Sequence, residues 1–248
     1  MSAVLEISGL QKSYRRLVAV KAVDLTVGPG EFVGFIGPNG AGKSTTMNCI
    51  AGTIAPDAGA IRVHDVDAVT DPVGARQHMG FVPQHLHLYG YLTGLEYMNF
   101  VGDIRAIPRD RQDAEIAELL ELTELTDARN RIVNEYSGGM ARKLAICAAL
   151  LGSPPLLLLD ESFVGLDPES THAIRRRLAR HCDSGGAILL SSHVLDMLER
   201  ICTRIVMLVD GAVAFDRPMD DIREEFAHGP HADLTELYLH TAGKGSAH

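Results

Sequence analysis

The sequence predicts an α/β fold: a core of mainly parallel sheet, an antiparallel β subdomain at its N-terminal end, and an α-helical subdomain inserted into the core. Three observations carry that prediction. A complete glycine loop, Gly37-Pro38-Asn39-Gly40-Ala41-Gly42-Lys43-Ser44-Thr45, stands between an apolar strand pattern at 31–36 and a helical pattern at 45–51. Two further apolar runs, at 156–159 and 187–190, end in polar residues, as buried parallel strands do at a ligand-bearing sheet edge. From 86 to 153 strand signals largely vanish and helical spacing takes over.

The glycine loop matches the phosphate-binding pattern GxxxxGK[ST] in full, in the strand–loop–helix context that pattern requires. Its glycines let the backbone wrap closely with N–H groups turned inward, and the helix starting near Gly42 adds its positive end. Lys43 can reach the β- and γ-phosphates of a nucleoside triphosphate, and the Ser44 hydroxyl can ligate Mg²⁺.

A chain of 248 residues with 46% hydrophobic and 22% charged residues can bury a full core. Its net charge of −9 speaks against a nucleic-acid binder, which needs a basic face, but not against a local nucleotide site. Cys49, Cys147, Cys182 and Cys202 show no metal-ligand spacing and read as buried free thiols. No secretory segment opens the chain and no apolar run approaches a membrane span, so a cytoplasmic protein is expected.

In chain order, residues 4–10 read as an edge strand and 18–27 as a second strand, closed by the turn Gly28-Pro29-Gly30. Tyr14 either stacks on a nucleotide base or packs within this ribbon. Residues 60–63 read as a short strand, 71–77 as a helix, and 79–84 as a strand ending at Gln84. That glutamine either offers its amide oxygen to a metal or is a solvated loop residue. In the helical insertion, Ile116, Leu119, Leu122 and Leu125 form an apolar stripe. Tyr89, Tyr91, Tyr97 and Phe100 gather there, either packed inside or presented to a partner. Ser137-Gly138-Gly139 caps a helix over 141–151 and makes a second possible anion site.

Four leucines then lead to Asp160-Glu161. Two acids at the C-terminal end of a buried strand are costly unless they coordinate something. Beside a phosphate loop, Asp160 is placed to hold Mg²⁺ and its water, and Glu161 to orient or deprotonate an attacking water. Gly165-Leu166-Asp167-Pro168 turns into a helix over 169–181. The strand at 187–193 ends in His193, at the same sheet edge and within reach of a γ-phosphate. A helix at 194–200, a hairpin through Asp210-Gly211, a partly amphipathic helical stretch at 220–240 and a frayed tail at 241–248 complete the chain.

This constellation resembles the ATP-binding cassette (ABC) ATPase family, a P-loop NTPase (RecA-like) fold, over roughly residues 3 to 216. The order is the phosphate loop, Gln84, the signature Tyr136-Ser137-Gly138-Gly139-Met140, the strand ending Asp160-Glu161, the Asp167 turn and His193. The resemblance implies one ABC ATPase domain over 1–240. Its core is 1–85 and 154–216, its helical subdomain about 86–153, and its C-terminal helical extension 217–240. It implies ATP and Mg²⁺ as ligands, with Ser44, Gln84 and Asp160 at the metal and Glu161, Lys43 and His193 in catalysis. It also implies a second ABC ATPase subunit, expected as a homodimer paired head to tail. Ser137 to Gly139 would then meet the γ-phosphate held by the other copy's loop, and Asp167 would bridge the halves. An integral membrane permease subunit would dock on the helical insertion and hold the protein at the inner face of the cell membrane.

Tyr136 and Met140 stand where leucine and glutamine are commoner, which resembles ABC-2-type exporters of drug, polysaccharide or lipid-linked cargo. Residues 234–239 are similar to the short terminal helix of such subunits. Ser162 and Phe163 replace the usual proline and threonine; neither change removes a phosphate or metal ligand. Soluble cassettes acting on ribosomes or DNA usually carry two cassettes, a long coiled coil or a zinc hook, none of which is seen. A regulatory subunit with weak hydrolysis is the other alternative, kept open by Ser162-Phe163. No Asn-Lys-x-Asp motif for reading guanine is present.

Overall fold

The computed structural model describes residues 3–228 and 233–245. Two sheets form the body. The first is antiparallel, built from β1 (Leu5–Tyr14), β2 (Leu17–Val27), β4 (Ala58–Val63) and β5 (Val66–Asp67) in the order β2-β1-β4-β5. The second contains β3 (Phe32–Ile36), β6 (Met79–Val82), β7 (Leu156–Asp160), β8 (Ala187–Ser191), β9 (Arg204–Val209) and β10 (Ala212–Pro218). Its order is β10-β9-β3-β8-β7-β6, parallel throughout except for the β9–β10 hairpin.

Alternation along the central strands explains why the parallel sheet is covered on both faces. Val33 and Phe35 of β3, Leu156 and Leu158 of β7, and Leu189 of β8 join one apolar core with the antiparallel sheet and α1 (Lys43–Ile50). Their neighbours Phe32, Ile36, Leu157, Leu159, Ile188 and Leu190 join a second core on the other face. Successive side chains on a strand point to opposite faces, so a continuous apolar run serves two cores at once.

After α2 (Pro72–Gln77) and β6 the chain leaves the sheet for α3 (Gly94–Ile104), α4 (Arg109–Leu122), a 3₁₀ turn at Val133–Glu135, and α5 (Gly138–Leu150). Thr93 and Glu96 cap α3 reciprocally. Ile116, Leu119 and Leu125 are buried as the stripe requires; Leu120 is buried beside them and Leu122 only partly. The half-buried Arg105 guanidinium satisfies end carbonyls of α5 at Ala148 and Leu151, fastening the C-terminal end of α3 to that of α5. Past β7 come α6 (Pro168–Asp183), α7 (Leu195–Ile201), α8 (Met219–His228) and α9 (Leu234–Gly245).

Three readings change. The first strand is no edge: β1 lies between β2 and β4 and continues to Tyr14. A strand with one buried face shows the same alternation at an edge or inside, so position in the sheet is not written in the pattern. The stretch 220–240 holds parts of two helices, not one. The tail expected at 241–248 is helical through Gly245, with Leu237 of the same helix buried in the core; 246–248 lie outside the described residues. All four cysteines are free; Cys49, Cys147 and Cys202 are buried and Cys182 half-buried. No helix among the described residues is long and apolar enough to cross a membrane.

Candidate active site

Between β3 and α1 the chain passes through Gly37, Gly40 and Gly42 at φ of 148°, 83° and 101°. A Cβ on Gly37 would collide with the Leu208 carbonyl, and one on Gly42 with the Ala19 carbonyl, so glycine is required by space as well as by φ. Gly42 starts α1 without a side-chain cap, leaving the first N–H groups of the helix open to an anion. The Lys43 ammonium is buried and donates to the carbonyls of Gly37 (2.6 Å) and Pro38 (3.1 Å). Burial lowers its pKa, opposed by the charges of Glu161 and Asp160.

The acids stand at the C-terminal end of β7. Asp160 is 1% exposed and faces Ser191 across the β7–β8 ladder. The Ser191 hydroxyl donates to Asp160 Oδ1 (2.5 Å) and accepts from the Glu161 N–H (3.1 Å). Glu161 itself adopts φ of +49°, a conformation unusual for a residue with a side chain and a mark of strain held by its surroundings. Burial pushes the Glu161 carboxyl above the usual carboxylate range, with Asp160 adding to the shift and His193 and Lys43 opposing it. His193 Nε2 lies 3.2 Å from Glu161 Oε1, at ion-pair distance but without hydrogen-bond alignment, and its side chain is half exposed.

These groups share one cleft of about 420 Å³, lined by Tyr14, Leu17, Ala19, Asn39, Gly40, Ala41, Gly42, Lys43, Ser44, Thr45, Gln84, Asp160, Glu161 and His193. Gly37 and Pro38 form the base of the loop and receive Lys43. The structure does not bring Ser137, Gly138, Gly139 or Asp167 into this cleft. Ser137 caps α5, its hydroxyl accepting from the Met140 N–H, and Asp167 caps α6, accepting from the Ser170 N–H. Tyr136 anchors that turn by donating to the Ala128 carbonyl (2.9 Å).

Among the described residues no three His, Cys, Asp or Glu side chains converge on a metal position. The donors in the cleft are the Ser44 hydroxyl, the Gln84 amide oxygen and the Asp160 carboxylate. Such an oxygen-only set with few carboxylates fits Mg²⁺ carried on phosphates, an ion that keeps several waters and needs no all-protein cage.

Three contributors went unnoticed in the sequence. Ser191 orients Asp160, and its signal was its place at the end of β8, level with Asp160. Arg142 donates to the carbonyls of Pro83 and Gln84, holding the glutamine segment against α5, and feels the charges of Asp160 and Glu161. Lys143 pairs with Asp167. Both basic residues follow the Ser-Gly-Gly cap at one helical turn, where they read as ordinary helix formers. The aromatic cluster divides: Tyr89 and Tyr91 are exposed at 61% and 90%, while Tyr97 packs against the core.

Comparison with known proteins agrees with this geometry. The family profile described as ABC transporter matches residues 20–164. The chain is 34% identical over 238 residues to the daunorubicin/doxorubicin resistance ATP-binding protein DrrA of Streptomyces peucetius, covering 96% of this chain and 71% of that protein. It is 38% identical over 255 residues to the Nod factor export ATP-binding protein I of Rhizobium etli (96% and 80% covered), and 30% identical over 246 residues to the ABC-type transporter ATP-binding protein EcsA of Bacillus subtilis (99% of each). A solved ATP-binding subunit of an ABC transporter superposes with a TM-score of 0.90 at 33% identity, over 96% of this chain and 99% of that one. A dimeric ATP-binding cassette in a post-hydrolysis state, bound to ADP and phosphate, superposes with a TM-score of 0.79 at 27% identity, over 87% and 98%.

Proposed function

Because the chain belongs to the ABC transporter family of ATP-binding subunits, we propose that it is the Mg²⁺-dependent ATPase subunit of a membrane exporter, working as a head-to-tail pair of identical copies. One observation carries the pairing: Lys43, Asp160, Glu161 and His193 share a cleft that Ser137, Gly138 and Gly139 do not reach. A second copy supplying its Ser-Gly-Gly helix start would complete the cleft. The solved dimeric cassette supports that arrangement, and the resistance and export proteins among the relatives support the exporter reading.

In this reading Tyr14 stacks on the adenine, and the loop from Gly37 to Thr45 cradles the phosphates. Bound at Ser44, Gln84 and Asp160, Mg²⁺ would offset phosphate charge. Glu161, its carboxyl raised by burial, accepts a proton from the attacking water. His193 and Lys43, with Ser137 and the glycine amides of the second copy, stabilise the charge on the transferring group. Arg142 and the glutamine segment pass closure of the cleft to the helical insertion. The exposed Tyr89 and Tyr91 are where a permease would dock at the inner face of the cell membrane.

A regulatory subunit with weak turnover is the second reading. It is favoured by Ser162, whose buried hydroxyl finds no partner directly after the Glu161 turn. Two measurements decide. Ser137→Arg should abolish ATP-driven pairing in size-exclusion chromatography while leaving ATP binding to the single chain; intact pairing overturns the shared site. Affinity purification from detergent-solubilised membranes should recover a multi-span protein; recovery of ribosomes or DNA instead overturns the exporter reading.

A further inference from the structure

A second and larger cleft, of about 800 Å³, opens at the opposite edge of the parallel sheet. Its walls include Pro29, Pro155 and Gly186, residues just before β3, β7 and β8, whereas the nucleotide cleft follows the other ends of those strands. A five-residue strand separates the two by roughly 17 Å. Ala3, Val4 and the two prolines give the new cleft an apolar side, and its volume suits a small organic ligand.

The other side is cationic. Arg177 and Arg180 lie one turn apart on α6 and so face the same way. Among the described residues neither has a carboxylate within ion-pair distance; Arg177 makes only a long contact, 3.4 Å, to the Ser153 hydroxyl. His64 and His181 stand on the same walls, and Glu118 is the single carboxylate among the lining residues. His181 is 4% exposed and its Nε2 has no hydrogen-bond partner. The position of Arg180 and His181 in the last turn of α6 complements the helix dipole, but that accounts for neither the unpaired Arg177 nor the apolar wall opposite. In a chain of net charge −9, two unpaired guanidinium groups in one concave site are a local reversal of sign.

We propose that this cleft is a second ligand site, taking a small molecule that joins one phosphate or carboxylate group to an apolar body. The anionic group meets the fork of Arg177 and Arg180, a geometry suited to bidentate recognition, and the apolar part lies along Val4, Pro29 and Pro155. Because Glu118 belongs to α4 of the insertion, His64 to the β4–β5 turn and Arg177 to the core, one ligand touches all three parts of the fold.

The test is an NMR titration of the full chain with octyl phosphate, following the amides of Ser184, Gly185 and Gly186. Inorganic phosphate serves as an anion-only probe and octyl glucoside as an uncharged one. Octyl phosphate is expected to shift these amides saturably, without competition from ATP. The double substitution Arg177→Gln/Arg180→Gln should weaken binding about tenfold or more, as loss of charge-assisted hydrogen bonds does, while ATP affinity stays unchanged. Glu118→Gln, at an exposed position, should tighten it. An equal response to either control probe, competition by ATP, or unaltered affinity in both variants would overturn the proposal.

Discussion

Lys143 Nζ lies 2.8 Å from Asp167 Oδ2, tying the helix that starts at Ser-Gly-Gly to the helix that starts after β7. The Lys143 partner, joined by the Ser170 N–H, holds the Asp167 carboxyl far below the usual carboxylate range. A depressed folded-state value means the stabilisation is complete above the unfolded pKa of about 4 and is lost as pH falls through the folded value. Lys143→Met should therefore lower stability at neutral pH by at most about 1 kcal/mol, since Asp167 is 45% exposed, and the difference from the parent should shrink in strong acid. Urea midpoints measured against pH check this, and Lys143→Arg should restore the parent curve.

Glu161→Gln keeps the shape of the cleft and removes the proton acceptor. Steady-state phosphate release should fall by about 10²- to 10⁴-fold with ATP affinity retained. The raised Glu161 pKa places the acid limb of the parent's activity above the ordinary carboxylate range: as pH falls, the base is protonated early. The residual activity of the variant should lack that limb. Undiminished turnover would remove Glu161 from the role.

Ser191→Ala leaves Asp160 without its buried hydroxyl donor and the Glu161 N–H without a second acceptor. The expected cost is about 1–3 kcal/mol of stability, visible as a lower urea midpoint with unchanged slope. Ser191→Thr, which keeps the hydroxyl, should recover part of it.

Burial and the charge of Arg177 lower the His181 pKa to about 4, against an ordinary value of 6.5. The unfolded chain then binds more protons between those values, so stability falls as pH drops from about 6.5 towards 4. In His181→Gln that sloping interval should flatten. An unchanged slope in parallel urea titrations would show that another group governs it.

How much of this was legible follows from the range of each interaction. The glycine loop announced itself because Gly37 and Gly42 are fixed by local φ and close backbone approach, and Asp160-Glu161 because acids ending an apolar strand are locally anomalous. His193 was legible as a polar residue just past the end of the apolar run that forms β8. Ser191, Arg142 and Lys143 were not: their partners lie 31, 58 or 59, and 24 residues away in sequence, and a serine or a helical base carries no sign of which remote group it will meet. The interior place of β1 and the division of the C-terminal stretch into α8 and α9 were hidden likewise, since pairing and packing partners are set by the whole chain.

The strand order β9-β3-β8 has a consequence for how the molecule comes into being. β3, which delivers the phosphate loop, pairs with no strand near it in sequence; its neighbours β8 and β9 begin 155 and 172 residues later. A growing chain would carry a finished loop sequence for on the order of ten seconds before the strands that hold it upright emerge from the ribosome. Nucleotide binding by nascent chains of increasing length should therefore switch on late, once β8 and β9 have been made, and not when Lys43 first appears.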